Sequence, residues 1–170
     1  GLKELGLTAA DVKLTYVCDD TADSQVYGSY FQQQWKKVLG IDVDIKPMAF
    51  QARLDAMRNG NFDIVLAGWA PDYDDALTFL DMFMEGNGNN YGKYSNTEYD
   101  TLLRQAMAEV DPVKRQESLQ KAETILIQQD WATYPIYFQK RSYVQSNKVQ
   151  GVTHTGFQEV DFCDGAKIVQ

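Results

Sequence analysis

The stretch Phe62–Leu80, which reads FDIVLAGWAPDYDDALTFL, constrains the fold of this chain more than any other. Its apolar run Ile64–Ala67 predicts a buried strand, which stops at Gly68-Trp69-Ala70-Pro71. Three carboxylates follow at once, within Asp72–Asp75. In an open α/β sheet the ligand binds beyond the carboxyl ends of the strands, and a strand that stops at an aromatic ring and an acidic cluster is typical of that edge. The stretch therefore predicts both a fold class and the place of a site.

Two more strands are predicted upstream. Apolar and polar side chains alternate over Val12–Cys18, and again over Ile41–Ile45 until Pro47 ends the run. Each is followed by an amphipathic helix, the first ending at Gly40 and the second at Asn59-Gly60. The order of elements is βαβαβ, and right-handed crossovers would make the strands parallel. We therefore predict an α/β fold with a mostly parallel sheet flanked by helices.

A parallel sheet of this kind brings the carboxyl ends of its strands to one edge. We expect that edge to carry Cys18-Asp19-Asp20 together with Trp69–Asp75. The rest of the chain would then serve as its support.

The second half of the chain predicts a helical hairpin. The loop Glu85–Gly92, EGNGNNYG, is too polar and glycine-rich to pack and is predicted to be flexible. Ser95-Asn96-Thr97-Glu98 has the pattern of a capping box, and an apolar stripe follows over Tyr99–Val110. Asp111-Pro112 then begins a second helix, which ends near Asp130.

The residues after this hairpin predict β structure. Trp131–Val144, WATYPIYFQKRSYV, is rich in β-forming residues, and Val149–Thr155 is predicted to be a further short strand. The tail Phe157–Gln170 has no clear periodicity and receives no assignment. Because no linker or repeat divides the chain, we expect residues 1–170 to form a single lobe.

Composition disfavours several classes of partner. The chain has 170 residues and a formal net charge of −8, which argues against nucleic acid and anionic membranes. No run of about 18 apolar residues is present, so no membrane-spanning helix is expected. Cys18 and Cys163 lack metal-ligand spacing, and one disulfide or two buried thiols both stay open. The chain begins at Gly1 without Met, as expected of a processed protein or an excised segment.

Catalysis has little support in these residues. Asp72, Asp74, Asp75 and Asp81 could supply the paired carboxylates of a glycoside hydrolase, but acidic surface loops are commoner than catalytic pairs. The single histidine, His154, has no evident Ser or Cys partner and is interpreted as a solvated loop residue. The sequence contains no nucleophile elbow, P-loop, zinc-protease or dinucleotide-binding motif. We therefore predict no enzyme.

Metal binding is the next possibility. Asp72–Asp75 lacks the frame of a calcium-binding EF-hand loop, and no glutamate follows at its twelfth position. Asn87, Asn89 and Asn90 offer carbonyl oxygens, yet these residues are also ordinary turn formers. We predict neither a metal nor a cofactor.

Ligand binding without chemistry fits the stretch better. A carboxylate beside Trp69 and Tyr73 suits an ammonium group, because it accepts charge-assisted hydrogen bonds while the rings form apolar walls. The backbone at Gly68, which has no side chain, could pair with an extended ligand like an added strand. The alternative is that the rings fill the core and the carboxylates cap the next helix. We favour capping for Asp74-Asp75 and ligand binding for Asp72.

The chain resembles the C-terminal lobe of the oligopeptide/dipeptide-binding (family 5) extracellular solute-binding proteins of ABC importers. The resemblance covers roughly residues 10–145. It rests on four ordered segments: WKKVLGIDVDIKPMAF, LDAMRNGNFDIVLAGWAPDYDDALTFLDMF, NNYGKYSNTEYDTLL and DPVKRQESLQKAETILIQQDWATYPIYF. The most specific part is G-W-x-x-D-Y followed by F-L.

The resemblance implies a periplasmic-binding-protein-like lobe of type II, one of two that close over an extended peptide. Carried over to this sequence, Gly68, Trp69 and Ala70 would line the cleft and pair with the peptide backbone. Asp72 would bind the α-amino group, and Tyr73 would form a wall. The resemblance further implies an oligopeptide ligand, an N-terminal lobe, a membrane-bound ABC permease as partner, and an exported, periplasmic or cell-surface lipoprotein.

Two positions depart from the family pattern. Asp75 is followed by Ala76, where family members often have proline. Leu66 stands where some members carry a basic residue that meets a peptide carboxylate. Other members of the family bind nickel complexes, sugars or haem, so the cargo stays open.

Overall fold

A computed structural model describes residues 1–140, 142–155 and 161–169 of the chain. Its contacts divide the chain into two compact units, Gly1–Gly68 and Trp69–Gln170. The single lobe expected over residues 1–170 stays a prediction.

The first unit is the predicted βαβαβ arrangement. Its strands and helices, in chain order, are β1 Lys13–Asp19, α1 Ala22–Leu39, β2 Asp42–Met48, α2 Phe50–Asn59 and β3 Ile64–Val65. A single turn of 3₁₀ helix, Ala9–Asp11, precedes them. The sheet order is β2-β1-β3, and both neighbours pair with β1 in parallel. The prediction of an α/β fold with a parallel sheet is confirmed.

Local chemistry sets the ends of both helices. The Thr21 hydroxyl accepts a hydrogen bond from the backbone N–H of Ser24 and so caps α1. Gly40 and Gly60 end α1 and α2 with φ of 72° and 69°, in the left-handed region that glycine adopts without strain. Both glycine stops are where the sequence predicts them.

Two strand boundaries differ from the prediction. Pro47 lies inside β2 and does not end it. Because β2 is an edge strand, a residue without an N–H group is tolerated on its open side. The strand predicted over Ile64–Ala67 is only Ile64–Val65, although the Leu66 N–H still donates to the Val17 carbonyl at 3.0 Å.

Aromatic packing builds the core of the first unit. Tyr16 is 2% exposed, and its ring contacts Phe31 and Trp35 edge-on at centroid distances of 6.4 and 5.9 Å. Cys18 and Val43 are buried beside it. The apolar stripe of α1 therefore covers one face of the sheet.

The second unit contains the predicted helical hairpin. Its helices are α3 Leu77–Leu80, α4 Thr97–Ala108 and α5 Pro112–Thr124, with a 3₁₀ turn at Asp81–Phe83 and a π-helical turn at Ile125–Gln129. The buried core comprises Leu80, Tyr99, Leu103, Ala106, Leu119, Ala122, Ile125 and Leu126. The core thus joins α3 to both helices of the hairpin.

The caps of the hairpin helices were only partly predicted. Asp111 caps α5 and Pro112 takes its first position, as expected. The cap of α4 is Asn96, whose Oδ1 accepts from the N–H groups of Glu98 and Tyr99. The capping box beginning at Ser95 is therefore wrong by one residue, since the Ser95 hydroxyl bonds to Glu85 instead.

The β structure predicted for Trp131–Val144 is wrong for the described residues. No strand occurs over residues 131–140 or 142–148. Tyr134 and Phe138 are 75% and 92% exposed. β-forming residues make a stable strand only beside a partner strand, and the described residues provide none for this segment.

The rest of the second unit contains two short antiparallel pairs. β4 Val149–Gln150 pairs with β7 Lys167–Ile168, and β5 Thr153–His154 pairs with β6 Asp161–Phe162. The single strand predicted over residues 149–155 is therefore two strands. Residues 157–160 and 170 of the unassigned tail lie outside the described residues.

The cysteines and the helices complete the fold. Cys18 is buried, Cys163 is exposed, and both are free, so neither one disulfide nor two buried thiols is correct. Among the described residues, no helix combines the length and apolarity needed to cross a bilayer.

Candidate functional site

The segment Trp69–Ala76, hereafter the acidic loop, carries four of the five predicted site residues. It has no regular secondary structure and leads directly into α3. Trp69 and Tyr73 are 38% and 45% exposed. Ala70 and Asp72 are exposed as well. The alternative in which the two rings fill the core is therefore wrong.

A single buried hydroxyl lies beneath this loop. Thr78, in the first turn of α3, is 2% exposed. Its Oγ1 accepts a hydrogen bond from the backbone N–H of Asp72 at 3.1 Å. The same oxygen accepts from the indole Nε1 of Trp69 at 3.4 Å. Two predicted site residues are thus held by one atom of the helix that follows them.

An ion pair holds the far end of the loop. Arg115 of α5 donates from both terminal nitrogens to the two carboxylate oxygens of Asp75, at 2.7 and 2.9 Å. Asp75, one position before the N-cap residue Ala76, also accepts through Oδ1 from the N–H of Leu77, the first residue of α3, at 2.8 Å and so caps the helix. The capping interpretation is confirmed for Asp75. For Asp74 it is wrong, because its side chain caps no N–H among the described residues.

The acidic loop concentrates negative charge. Burial and then the charge of Asp72 raise the pKa of Asp81 above its ordinary value. Burial, followed by the charges of Asp81, Asp75 and Asp72, likewise raises the pKa of Tyr73. Arg115 compensates mainly at Asp75, whose pKa its hydrogen bond lowers. A cation placed near Asp72 would therefore meet a favourable potential.

The fifth predicted residue, Gly68, is the last residue of the first unit and is exposed. Apart from Gly68 itself and its two chain neighbours, no described residue has an atom within 4 Å of a Cβ built on it. Within its own unit, its backbone N–H and carbonyl make no hydrogen bond. Gly68 is thus sterically open and its backbone is unpaired in that unit.

Comparison with known proteins identifies the family. Residues 1–91 match the family model described as "Bacterial extracellular solute-binding proteins, family 5 Middle". The chain belongs to this family. Family 5 membership confirms the resemblance inferred from the four ordered segments.

Three relatives illustrate the similarity of this family 5 chain. The oligopeptide-binding protein OppA of Bacillus subtilis (strain 168) is 37% identical over 95% of the chain. The substrate-binding domain of an oligopeptide ABC transporter from Bacillus anthracis str. Ames is 34% identical over 99% of the chain, with a TM-score of 0.86. Listeria monocytogenes OppA bound to peptide is 30% identical over 99%, with a TM-score of 0.83. The chain spans 30%, 33% and 32% of these three proteins.

Asp19, which is also predicted to lie at the ligand edge, forms an ion pair inside the first unit of this family 5 protein. Asp19 Oδ1 accepts from Arg53 Nε at 2.6 Å, and the Arg53 side chain is only 7% exposed. Arg53 also lies over the Phe50 ring and reaches the Leu66 carbonyl. Asp19 therefore neutralises a buried guanidinium. That it shares an edge with the acidic loop stays a prediction.

The catalytic and metal alternatives gain nothing from the structure. Among the described residues, no three His, Cys, Asp or Glu side chains are grouped as metal ligands. His154 is not a solvated loop residue: its Nδ1 lies 3.0 Å from Asp161 and its Nε2 lies 2.9 Å from Gln145. Its ring stacks on Tyr143 at a centroid distance of 3.5 Å. The sequence missed these contacts because they join β5, β6 and the segment before β4.

Sequence reasoning also missed the residues that support the acidic loop. Thr78 is one of the residues after the acidic cluster, and nothing in its position shows that its hydroxyl is turned towards the loop. Arg115 follows Asp75 by 40 residues on another helix. The periodicity of a helix predicts which of its faces is apolar. It does not predict polar contacts such as these, because they depend on tertiary packing.

Proposed function

We propose that this chain is the C-terminal ligand-binding lobe of a two-lobed peptide receptor, the substrate-binding component of an ABC importer. The observation that carries the proposal is the acidic loop, which presents Asp72, Trp69 and Tyr73 at the surface of a well-packed helical base. The protein would bind and release its ligand without a catalytic step.

Recognition of the peptide amino terminus would come from Asp72. Its carboxylate would accept charge-assisted hydrogen bonds from the α-ammonium group. Trp69 and Tyr73 would form apolar walls and, where the ammonium lies over a ring, add a cation–π attraction. Burial is the main cause of the raised pKa of Asp81 and the charge of Asp72 the second; a bound cation would relieve this second contribution.

The peptide backbone would pair with the chain at Gly68, Trp69 and Ala70. Such pairing uses main-chain groups, and the side chains of an extended peptide alternate between its two faces. Neither ammonium capture nor strand-like pairing reads the identity of a side chain. The receptor would therefore accept peptides of varied sequence, with Leu66 offering no charge to a peptide carboxylate.

The relatives support this proposal. One of them is an OppA whose structure is described as bound to peptide. The partners would be an N-terminal lobe that forms the opposite wall of the cleft and a membrane permease that recognises the closed form. The protein would act outside the cytoplasm as a periplasmic or cell-surface protein, anchored as a lipoprotein.

The decisive test compares free and N-acetylated peptides by calorimetric titration of the two-lobed protein. We expect the free peptide to bind at least about tenfold more tightly, because acetylation removes the charge that Asp72 would pair with. Asp72→Ala should abolish or greatly weaken binding of the free peptide. Asp72→Asn keeps the size of the side chain and should lose most of the preference for the free amine.

Equal affinity for the two peptides would refute ammonium capture. The isolated chain should bind weakly, since one wall buries too little of a peptide. Two competing functions have their own readouts. A hydrolase would release products that chromatography detects, and a calcium module would gain thermal stability from calcium and lose it with chelator.

A further inference from the structure

We infer that Thr78 is a positioning residue for peptide binding: its buried hydroxyl sets the acidic loop in the conformation that would receive the ammonium group. This inference rests on the proposed function of the loop. Thr78 is not expected to touch the ligand, because it is 2% exposed and lies under the loop. It would act through the two residues that bond to it.

The geometry of the hydroxyl is the first step. One oxygen, Thr78 Oγ1, accepts from the Asp72 backbone N–H at 3.1 Å and from the Trp69 indole at 3.4 Å. The first donor belongs to Asp72, which would bind the ammonium group, and the second to Trp69, which would form one of the apolar walls around that group. A shared acceptor limits the distance between the Asp72 backbone and the Trp69 ring, so that the backbone carrying the carboxylate is held beside the ring.

The rigidity of the helix beneath is the second step. Leu80, two residues after Thr78, is buried in the core with Leu103 and Leu126. Its carbonyl accepts a hydrogen bond of 2.5 Å from the hydroxyl of Tyr99, which is fully buried. The short helix α3 is therefore anchored to α4, and the Thr78 hydroxyl has a fixed position from which to hold the loop.

The loop is also anchored at its other end, by the Asp75–Arg115 pair. Between the two anchors, residues Asp72 and Tyr73 stand exposed at the surface. A loop fixed in this way loses little further conformational freedom when a ligand binds. Such preorganisation raises affinity without a direct contact to the ligand.

The first experiment measures the loop in the chain itself by ¹H–¹⁵N NMR. Thr78→Val keeps the shape of the side chain but removes the acceptor. We expect it to shift the Trp69 indole and Asp72 amide signals and to speed hydrogen exchange of that amide at least about tenfold. Thr78→Ser, which keeps the hydroxyl, should restore both. Trp69→Phe assigns the indole signal among the three tryptophans of the sequence.

Thr124→Val is the matched control. Thr124 is a partly buried threonine of α5 whose hydroxyl donates only to the Gln120 carbonyl of its own helix, at 2.8 Å. It should leave the Trp69 and Asp72 signals unchanged. Signals of Trp69 and Asp72 that are the same in Thr78→Val as in the wild type would overturn the inference.

The second experiment titrates the two-lobed protein with free and N-acetylated peptide. Thr78→Val should weaken binding of the free peptide about tenfold and barely change binding of the acetylated one, because only the former uses a preset Asp72. Thr78→Ser should stay within about twofold of the wild type. A merely structural role would weaken both peptides alike and would overturn the inference.

The same titration separates two kinds of failure. If the wild type prefers the free peptide and Asp72→Ala loses that preference while Thr78→Val keeps it, only the positioning role of Thr78 is overturned. If the wild type has no preference and Asp72→Ala has no effect, the proposed function fails and takes the inference with it.

Discussion

Two polar loops of the second unit differ in how they use their hydrogen-bonding groups. One is the acidic loop, Trp69–Ala76. The other is Glu85–Asn96, hereafter the amide loop, which is built around Asn90. Asn90 is 4% exposed, and its Nδ2 donates to the carbonyls of Phe83, Met84 and Tyr94. Its Oδ1 accepts from the Tyr94 N–H at 2.9 Å.

The Asn90 side chain bonds to backbone groups of the amide loop and of the turn before it, and the Asp100 carboxylate of α4 accepts from the Glu85 N–H at 3.3 Å. All four hydrogen bonds of the Asn90 side chain within the described residues go to main-chain atoms. The acidic loop is held by groups that come after it in the chain, Thr78 and Arg115. Its own rings and the Asp72 carboxylate stay at the surface. The two loops therefore differ in what they leave at the surface: the amide loop buries its central side chain, whereas the acidic loop exposes two rings and Asp72.

The largest effect on stability is expected from a substitution in the amide loop. Asn90→Ala removes one buried side chain and with it the hydrogen bonds that this side chain makes to the Phe83 and Tyr94 carbonyls and to the Tyr94 N–H. We expect the free energy of unfolding to fall by about 3 kcal/mol, since each unsatisfied buried group costs about 1–3 kcal/mol. Urea denaturation followed by circular dichroism measures the change.

Asn89→Ala is the matched control for that variant. Asn89 is partly buried in the same loop, but its side-chain oxygen accepts only from the Tyr91 hydroxyl, at 3.4 Å. It should cost well under about 1 kcal/mol. If the two variants lose equal stability, Asn90 is not the organising residue of the loop.

The amide loop also shows where sequence reasoning fails. Glu85–Gly92 was predicted to be flexible and too polar to pack, and this is wrong because a buried amide can replace an apolar core when the backbone supplies its partners. Strand β1 and the stops at Gly40 and Gly60 were predicted correctly. They depend on alternation and on left-handed glycine, which are local properties.

Non-local contacts account for the remaining differences. The position of the acidic loop was predictable, because it follows a short apolar run and precedes an apolar helix. The contacts of its supports were not, since the ion pair between Asp75 and Arg115 joins residues 40 positions apart. The same limit explains Trp131–Val144, where β propensity specifies no partner strand.

A medium effect is expected from weakening the ion pair under the acidic loop. Asp75→Asn keeps an oxygen that can cap α3 but removes the charge that pairs with Arg115. We expect a loss of about 1 kcal/mol at neutral pH, because both side chains are about a quarter exposed, 25% and 28%. Thermal unfolding measures it. Arg58→Gln is the control: Arg58 pairs with Asp55 on α2 and both side chains are more than half exposed, 56% and 55%, so its loss should cost less.

The pH dependence of this pair has a definite sign. The Arg115 hydrogen bond lowers the pKa of Asp75 in the folded protein below the ordinary value of 3.8. The pair therefore stabilises the fold above that value, and its contribution is lost as the pH falls through the lowered folded pKa. The difference between wild type and Asp75→Asn should shrink towards zero in acid. A difference that persists in acid would show that the charge of Asp75 is not its source.

The smallest effect tests whether the proposed recognition by the acidic loop would depend on the position of a carboxylate or on the total charge of the loop. Asp74 is exposed and its side chain makes no hydrogen bond with the described residues, unlike its neighbour Asp75. Asp74→Asn should change the free energy of unfolding by less than about 0.5 kcal/mol. It should also change the affinity of the two-lobed protein for a free peptide by less than about twofold, because solvent and salt screen an exposed charge over about 8 Å.

Asp72→Asn, which removes the same charge two residues earlier, should by contrast remove most of the preference for a free amine. Titrations at low and high ionic strength sharpen the contrast, since a long-range effect at Asp74 would grow as salt is removed, whereas a direct ion pair at Asp72 would persist in salt. Equal losses for the two variants would mean that the loop attracts cations through its summed charge. Asp72 would then have no role that Asp74 lacks. The acidic loop could no longer be distinguished from the amide loop by one carboxylate that it presents to a ligand.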